Sequence, residues 1–290
     1  MGDKITLQQL QNMKEAGEPI TMLTVYDYPT AVLLDRAGIE MALVGDSLGM
    51  VVHGFENTLP VTMDMMILHT QAVRRGIKRA FLVGDMPFMS YQNFGDALKN
   101  AGRFLAEGGA DCVKLEGGIH MATTVSTLVT AGVAVMGHIG LTPQSVSAFG
   151  GFKTQGKSIQ AAYKVIDDAR ALEDAGAFAL VLESIPAKLA ELISQTIKIP
   201  TIGIGAGVGC DGQVLVTQDL LGLFDRHTAK FVKQYVQIGT ATQTAFEQYI
   251  DDVKARKFPA DEHTYAMPDE AWEAISASQA KAHNGAKKKS

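Results

Sequence analysis

The 290-residue sequence has only two cysteines and one tryptophan, and long apolar runs are missing from it. Cys112 and Cys210 lie outside any CxxC or cysteine–histidine spacing, which excludes a disulfide framework and a cysteine-ligated zinc site. No stretch approaches the roughly 18 apolar residues of a membrane span, and the N-terminal segment has no signal-peptide core. These absences predict a cytoplasmic protein that does not associate with membranes.

An excess of basic residues is also missing. The sequence has 26 lysines and arginines against 31 aspartates and glutamates, for a formal net charge of -5. Proteins that bind nucleic acid neutralise phosphates with a basic surface, so this balance argues against a nucleic-acid partner. The 47% hydrophobic content and the 29 glycines are typical of a globular protein with a substantial core.

The sequence does contain a regular alternation of short apolar runs and longer segments with helical periodicity. This alternation predicts parallel strands joined by crossover helices. The predicted strands are residues 20–25, 41–45, 80–84, 111–115, 133–137, 178–182, 200–204 and 213–217. The predicted helices are residues 28–37, 63–75, 95–108, 119–131, 159–175, 187–197 and 231–255. Eight such units predict an α/β protein with a closed (β/α)8 TIM barrel, and an open doubly wound sheet is the alternative.

The domain organisation predicted from these segments is a single barrel over residues 1–265. A C-terminal extension over residues 266–290 follows, and its basic end, which reads AKKKS, is expected to be frayed. The segment 141–157 after the fifth strand is too long for a simple turn. Long loops in compact domains are commonly functional, so we predict that this one closes over the active site.

Acidic residues follow four of the predicted strands at the point where each strand ends. MALVGDS places Asp46 after the second strand, FLVGD places Asp85 after the third, and LVLES places Glu183 after the sixth. CVKLEGG ends the fourth strand with Lys114 and Glu116, which are two residues apart and therefore share one face. Active sites of (β/α)8 barrels lie at the carboxyl ends of the strands, so we expect these side chains to converge there.

Four carboxylates and one lysine in a single barrel mouth need a compensating charge, because a buried charge is costly unless it is paired or liganded. Oxygen donors without clustered cysteine or histidine favour Mg²⁺ or a similar divalent ion over zinc. Taken singly, Asp46, Asp85 or Glu183 is interpreted equally well as a helix N-cap. Lys114 with Glu116 has the alternative of a buried structural ion pair. The recurrence at four strand ends favours the cation site.

Two further features lie near the predicted strand ends. His138 ends the fifth strand in VAVMGHIG, and we assign it a supporting role at the same mouth. His53 and His69 are interpreted as structural. The run GIGAGVGCDG resembles a phosphate-binding loop but lacks both the GxGxxG order and the GK[ST] ending, so close backbone approach or loop flexibility explains it equally well.

At these residues the sequence closely resembles the ketopantoate hydroxymethyltransferase (3-methyl-2-oxobutanoate hydroxymethyltransferase) family. The resemblance runs from about residue 5 to Tyr265. The segments that carry it are TVYDYPTA, LVGDSLGMVVHGFENTLPVT, HTQAVRRG, DMPFMSY, VKLEGG, GHIGLTPQSVSAFGGFKTQG, LVLESIP and PTIGIGAGVGCDGQVLV.

The resemblance implies a (β/α)8 barrel of the phosphoenolpyruvate/pyruvate type that depends on Mg²⁺. It also implies a reaction in pantothenate biosynthesis, in which 5,10-methylenetetrahydrofolate and 3-methyl-2-oxobutanoate give 2-dehydropantoate through a metal-stabilised enolate. A homo-oligomer, typically a decamer, is implied as well. The implied roles are metal binding for Asp46 and Asp85, direct or water-mediated metal contact for Glu116, substrate contact for Ser47 and Lys114, and proton abstraction for Glu183.

Two alternatives remain open from the residues. One is a 2-oxo-acid C–C lyase on the same barrel, although such lyases generally carry a cysteine motif resembling KKCGH in a mobile loop, which this sequence lacks. The other is a non-catalytic barrel that binds a metabolite. It is disfavoured because all of the acidic residues at the strand ends are present.

Overall fold

A computed structural model of the protein describes residues 3–145, 151, 153–224, 226 and 228–287, with side chains described as far as residue 279. Residues 146–150 and 152 of the predicted closing loop lie outside the described residues. The chain divides into two compact units, Met1–Gln237 and Ile238–Ser290. The boundary at residue 265 that the sequence suggests stays a prediction.

The first unit is a closed barrel of eight parallel strands in which each strand pairs with the next and β8 pairs with β1. The strands are β1 (Ile20–Thr24), β2 (Met41–Val44), β3 (Phe81–Asp85), β4 (Cys112–Glu116), β5 (Val135–Gly140), β6 (Ala179–Glu183), β7 (Thr201–Ile204) and β8 (Gly212–Leu215). All eight predicted strands are present, and the prediction of a (β/α)8 barrel is confirmed.

Helices alternate with these strands. In the first unit they are α1 (Leu7–Ala16), α2 (Tyr28–Ala37), α3 (Leu48–Val51), α4 (Met63–Gly76), α5 (Phe94–Ala106), α6 (Ala122–Thr130), α7 (Ile159–Asp174), α8 (Ala187–Thr196) and α9 (Thr217–Leu220). Short 3₁₀ helices cover Ile119–Met121 and Pro143–Ser145. Side-chain caps start several helices: Asp27 accepts the amide of Thr30 at the start of α2, and Ser158 accepts that of Ala161 at the start of α7.

The strand side chains form two apolar layers because successive residues point to opposite faces of a strand. The layer inside the barrel includes Met22, Met41, Leu43, Phe81, Val83, Cys112, Met136, Val181, Ile202 and Val214. The layer between the strands and the helices includes Ala42, Val44, Leu82, Val113, Leu115, Val135, Leu180 and Leu182. The alternation in β4 places Lys114 and Glu116 in line with Cys112, on the side facing the barrel interior.

Strand register sets which polar residues become neighbours at the mouth. Asp85 of β3 lies opposite Lys114 of β4, and Glu116 of β4 lies opposite His138 of β5. Gly84 faces the helices, and a Cβ atom there would come within 2.4 Å of Cδ1 of the Phe104 ring. A glycine is therefore needed for α5 to pack this closely against β3.

The second unit contains α10 (Ile238–Lys254), a 3₁₀ turn (Asp261–His263) and α11 (Asp269–Lys287). The prediction of a helix from residue 231 is wrong over residues 231–237, because α10 begins only at Ile238. The helix α11 reaches Lys287, in a stretch expected from the sequence to be frayed, and its many alanines and lysines are strong helix formers. None of the helices in the described part of the chain is long and apolar enough to cross a membrane.

Candidate active site

The polar side chains predicted at the strand ends meet in one buried network. Asp46, Asp85, Lys114, Glu116 and His138 are each no more than 5% exposed. The side chain of Glu183 is 15% exposed and lies at the edge of the network. Because the barrel interior below is filled with apolar side chains, these groups can be approached only from the mouth.

The centre of the network is the contact between Lys114 and Asp85. The Nζ atom of Lys114 lies 2.7 Å from Oδ1 of Asp85, while Oδ2 of the same carboxylate accepts the backbone amide of Asp46 at 3.1 Å. Burial lowers the pKa of Lys114, but Asp85, Glu116 and Asp46 together outweigh this effect and raise the pKa above its ordinary value. The surrounding carboxylates therefore favour the protonated, positively charged form of Lys114.

Negative charge exceeds this single lysine. Burial raises the pKa of Asp46 well above its ordinary range, and the charges of Asp85 and Glu116 raise it further against the opposing effect of Lys114. Burial also raises the pKa of Asp85, although Lys114 opposes this shift. Ionisation of these carboxyl groups is therefore unfavourable without further compensation, so additional positive charge would be bound favourably.

His138 lies between two carboxylates. Its Nε2 atom is 3.2 Å from Oε2 of Glu183, and its Nδ1 atom is 3.4 Å from Oε1 of Glu116. Burial and the nearby charge of Lys114, at 3.3 Å from Nδ1, lower the pKa of His138, but the hydrogen bonds to Glu116 and Glu183 prevail and raise it to about 9. His138 therefore lies within ion-pair distance of both carboxylates and links Glu183 to the centre of the network.

Ser47 is placed differently from its neighbour Asp46. Its hydroxyl group lies 2.8 Å from the hydroxyl of Tyr26, which is buried directly after β1. The residue follows Asp46 in the chain, so it lies beside the network at the start of α3. Its role in substrate contact stays a prediction.

Two residues of the site escaped sequence reasoning. Gln144, in the 3₁₀ helix after β5, donates from Nε2 to Oδ2 of Asp46 at 3.0 Å and from its backbone amide to Oε2 of Glu116 at 3.0 Å. Tyr91 donates its hydroxyl to Oε1 of Gln144 at 2.6 Å. Both side chains are uncharged and neither residue ends a strand, so the pattern of charged residues at strand ends does not predict them. The motif GLTPQSV was the available signal for Gln144.

His53 and His69 lie outside this network. Nε2 of His53 lies 3.1 Å from Nε2 of His69, and Nδ1 of His69 lies 2.6 Å from the backbone oxygen of Tyr26. Burial and the neighbouring His69 lower the pKa of His53. These contacts join the loop after α3 to α4, in agreement with the structural interpretation.

The donor set fits a hard divalent cation. Asp46, Asp85 and Glu116 offer carboxylate oxygens with an excess of negative charge, the chemistry that Mg²⁺ prefers. Within the residues described, no three histidine, cysteine or acidic side chains form a ready-made metal cage. Mg²⁺ does not require one, because it is commonly held by one or two carboxylates together with water and substrate oxygens.

Comparison with solved structures agrees on the barrel. A phosphonopyruvate hydrolase superimposes with a TM-score of 0.61 at 13% identity, covering 96% of this chain and 97% of that one. A 2,3-dimethylmalate lyase of the PEP mutase/isocitrate lyase superfamily superimposes with a TM-score of 0.56 at 14% identity, covering 96% and 97%. At these identities the likeness shows the fold alone, and it agrees with the predicted (β/α)8 barrel.

Sequence comparison reaches further. Residues 4–261 match the family described as ketopantoate hydroxymethyltransferase. The 3-methyl-2-oxobutanoate hydroxymethyltransferase of Carboxydothermus hydrogenoformans is 57% identical over 94% of this chain and 99% of its own length. The enzyme of the same name from Moorella thermoacetica is 58% identical over 90% and 98%. The resemblance found in the motifs is thereby confirmed, and the chain belongs to the ketopantoate hydroxymethyltransferase family of transferases.

Proposed function

We propose that the protein transfers the one-carbon unit of 5,10-methylenetetrahydrofolate, together with water, to 3-methyl-2-oxobutanoate as a hydroxymethyl group, giving 2-dehydropantoate and tetrahydrofolate by way of an enolate. The observation that carries this proposal is the buried network at the mouth, where Lys114, three carboxylates and the His138–Glu183 pair converge. Family membership supports the reaction in pantothenate biosynthesis. It also makes a C–C lyase or a non-catalytic barrel poorer explanations of the same residues.

Asp46 and Asp85 are the residues that would hold Mg²⁺, with Glu116 as a direct or water-mediated third contact. A phosphonopyruvate hydrolase of the same fold was crystallised with oxalate and Mg²⁺, which supports a divalent ion in barrels of this kind. When bound, the ion supplies positive charge that polarises the 2-oxo group of the substrate.

The remaining chemistry falls to the side chains of the chain itself. Lys114 stays protonated beside Asp85, so it stabilises the negative charge that develops on the substrate oxygen when the C3 proton leaves. Glu183 is the proposed base, because it is the most exposed carboxylate of the network and faces the mouth from the end of β6. Nε2 of His138 lies 3.2 Å from Oε2 of Glu183, so His138 is proposed to hold the base in position, while Ser47 is the proposed further contact to the substrate.

Proton exchange separates this first half of the reaction from the transfer. The assay is incubation of 3-methyl-2-oxobutanoate with enzyme and Mg²⁺ in deuterated water, without folate, followed by NMR at C3. The wild type is expected to exchange the C3 proton, and Glu183→Gln is expected to slow exchange by at least about 100-fold, the usual contribution of a general base. Exchange by Glu183→Gln at the wild-type rate would overturn the assignment of the base.

A matched control is Glu191→Gln, which changes an exposed glutamate on α8 in the same way. It is expected to exchange at the wild-type rate. Addition of methylenetetrahydrofolate should then give 2-dehydropantoate with the wild type, and failure to form it would refute the proposed co-substrate. A cytoplasmic location and a homo-oligomer, in particular a decamer, stay predictions that fractionation and light scattering test directly.

A further inference from the structure

One residue in the mouth has a contact pattern that the proposed reaction does not yet explain. Gln144 is 5% exposed and belongs to the segment after β5, yet its partners all come from the β2, β3 and β4 ends of the barrel. Its carboxamide and backbone amide contact Asp46, Met86, Tyr91 and Glu116. It therefore crosses from the β5 end to the β2 end of the barrel mouth and touches two of the three proposed metal-binding carboxylates.

The carboxamide of Gln144 has a defined orientation. Its Nε2 atom donates to Oδ2 of Asp46 and to the backbone oxygen of Met86, both at 3.0 Å, and its Oε1 atom accepts from the hydroxyl of Tyr91 at 2.6 Å. Rotation of the amide by 180° would point Oε1 at two acceptors, so both of the hydrogen bonds that Nε2 donates would be lost. Both N–H groups and the oxygen are used, so the donor that faces Asp46 cannot turn away without losing the other bonds.

This orientation determines how the two carboxylates present their oxygens. The bond from Nε2 to Oδ2 fixes the rotation of the Asp46 carboxylate about its Cβ–Cγ bond. The Gln144 backbone amide donates to Oε2 of Glu116 and so restrains the orientation of this second carboxylate. Metal-binding carboxylates and histidines generally depend on such hydrogen-bonding partners for orientation, and loss of one partner typically weakens metal affinity or activity by about 10- to 100-fold.

We propose that Gln144, oriented by Tyr91, is a positioning residue that sets Asp46 and Glu116 for cation binding. The inference rests on the proposed function, because it assigns Gln144 a task at the same site. Tyr91 links Gln144 to Glu116, because its hydroxyl donates to Oε1 of Gln144 and also accepts the backbone amide of Glu116 at 3.3 Å.

The first test uses Gln144→Met, which keeps the length of the side chain and removes its polar atoms. Titration calorimetry with Mg²⁺ is expected to show an affinity about 10-fold weaker than that of the wild type, with kcat reduced similarly. The KM for methylenetetrahydrofolate is expected to stay within about two-fold of the wild-type value, because the substitution acts on cation binding and leaves the binding of that substrate unchanged. Tyr91→Phe should change Mg²⁺ affinity and kcat in the same direction by a smaller factor.

The matched control is Gln71→Met, since Gln71 also donates from Nε2 to a backbone oxygen, that of Glu107, but on the outside of the barrel. It should leave Mg²⁺ affinity and kcat unchanged. If Gln144→Met lowers the melting temperature but keeps the wild-type Mg²⁺ affinity and kcat, the residue is only structural and the inference is overturned.

A second measurement needs neither metal nor activity. Gln144→Glu puts a carboxylate oxygen against Oδ2 of Asp46, so the melting temperature of the metal-free protein is expected to fall. Asp46→Asn in the same chain can supply the missing donor, and the double variant is expected to recover much of the loss. If the effects of the two substitutions on the melting temperature simply add, the Asp46–Gln144 contact contributes no coupling energy. This result would overturn the inference even if the wild type binds Mg²⁺ and exchanges the C3 proton. Failure of the wild type in those two assays would instead refute the proposed function.

Discussion

The substitution Asp46→Asn removes one negative charge from the mouth while keeping the shape of the side chain. In the wild type, the Asp46 carboxylate is buried and is opposed by Asp85 and Glu116, whereas Lys114 is the favourable charge named among its neighbours. Asparagine retains an oxygen that can accept from Nε2 of Gln144. The variant therefore loses a repulsive charge without losing this hydrogen bond.

The size of the effect follows from these neighbours. Two like charges about 4 Å apart repel by about 4 kcal/mol at an effective dielectric constant of 20, and an opposite charge at the same distance cancels one such contribution. Two repulsions and one attraction leave one repulsion, and the raised pKa of Asp46 lets the carboxyl group take up a proton, which reduces the net effect to about 2 kcal/mol. Without divalent metal, Asp46→Asn should raise the free energy of unfolding by this amount and the melting temperature by about 4–8 °C.

Addition of Mg²⁺ is expected to make the wild type more stable than Asp46→Asn, which reverses the order of their melting temperatures. Ligand at 100 times its dissociation constant stabilises a protein by about 2.7 kcal/mol, and the wild type should gain this while the variant gains little. The assay is thermal unfolding with and without Mg²⁺, with the exposed-site variant Asp174→Asn as a control that stays within about 0.5 kcal/mol of the wild type. A lower melting temperature for metal-free Asp46→Asn, or equal stabilisation of both proteins by Mg²⁺, would refute the reasoning.

Three further predictions concern the barrel around the site. Gly84→Ala forces a Cβ atom against the Phe104 ring and should lower the free energy of unfolding, measured in urea, by about 1–3 kcal/mol. An unchanged urea midpoint would mean that α5 shifts freely. Asp168→Ala leaves the backbone amide of Ile119 without its 2.8 Å acceptor and should cost about 1–3 kcal/mol while C3 exchange per folded molecule stays constant. Burial raises the pKa of the Cys112 thiol, so iodoacetamide should modify it only after unfolding, and peptide mass spectrometry showing rapid labelling of the native protein would contradict its placement inside the barrel.

The sequence predicted the barrel well because its strands are covered on both faces and therefore appear as apolar runs. It also predicted the charged members of the site, since Asp46, Asp85 and Glu116 each end or directly follow such a run. Strand boundaries differ by one to three residues, as in β5, which starts at Val135 and reaches Gly140 instead of covering residues 133–137. His138, Ile139 and Gly140 extend the strand beyond its apolar run because its hydrogen bonds are made by the backbone.

Several elements could not be read from the sequence. The helix α1 is mostly polar, with Leu10 as its fully buried residue, so its periodicity was too weak to predict a helix. The roles of Gln144 and Tyr91 could not be predicted, because a neutral amide or phenol in a segment after a strand forms no distinguishing sequence pattern. Their importance comes from partners 25 to 98 residues away in the chain, a relation that only the folded barrel creates.

The register that pairs Asp85 with Lys114 and Glu116 with His138 also limits how such a chain can vary. Side chains alternate sides along a strand, so inserting a single residue within β3 ahead of Asp85 would turn its carboxylate toward the helices, where Gly84 now leaves room for Phe104. A deletion within β4 would do the same to Lys114 and Glu116 together. An odd-numbered change of length within β3 or β4 would therefore abolish the site even if the barrel still closed, whereas a change of two residues would keep these side chains on the inner face.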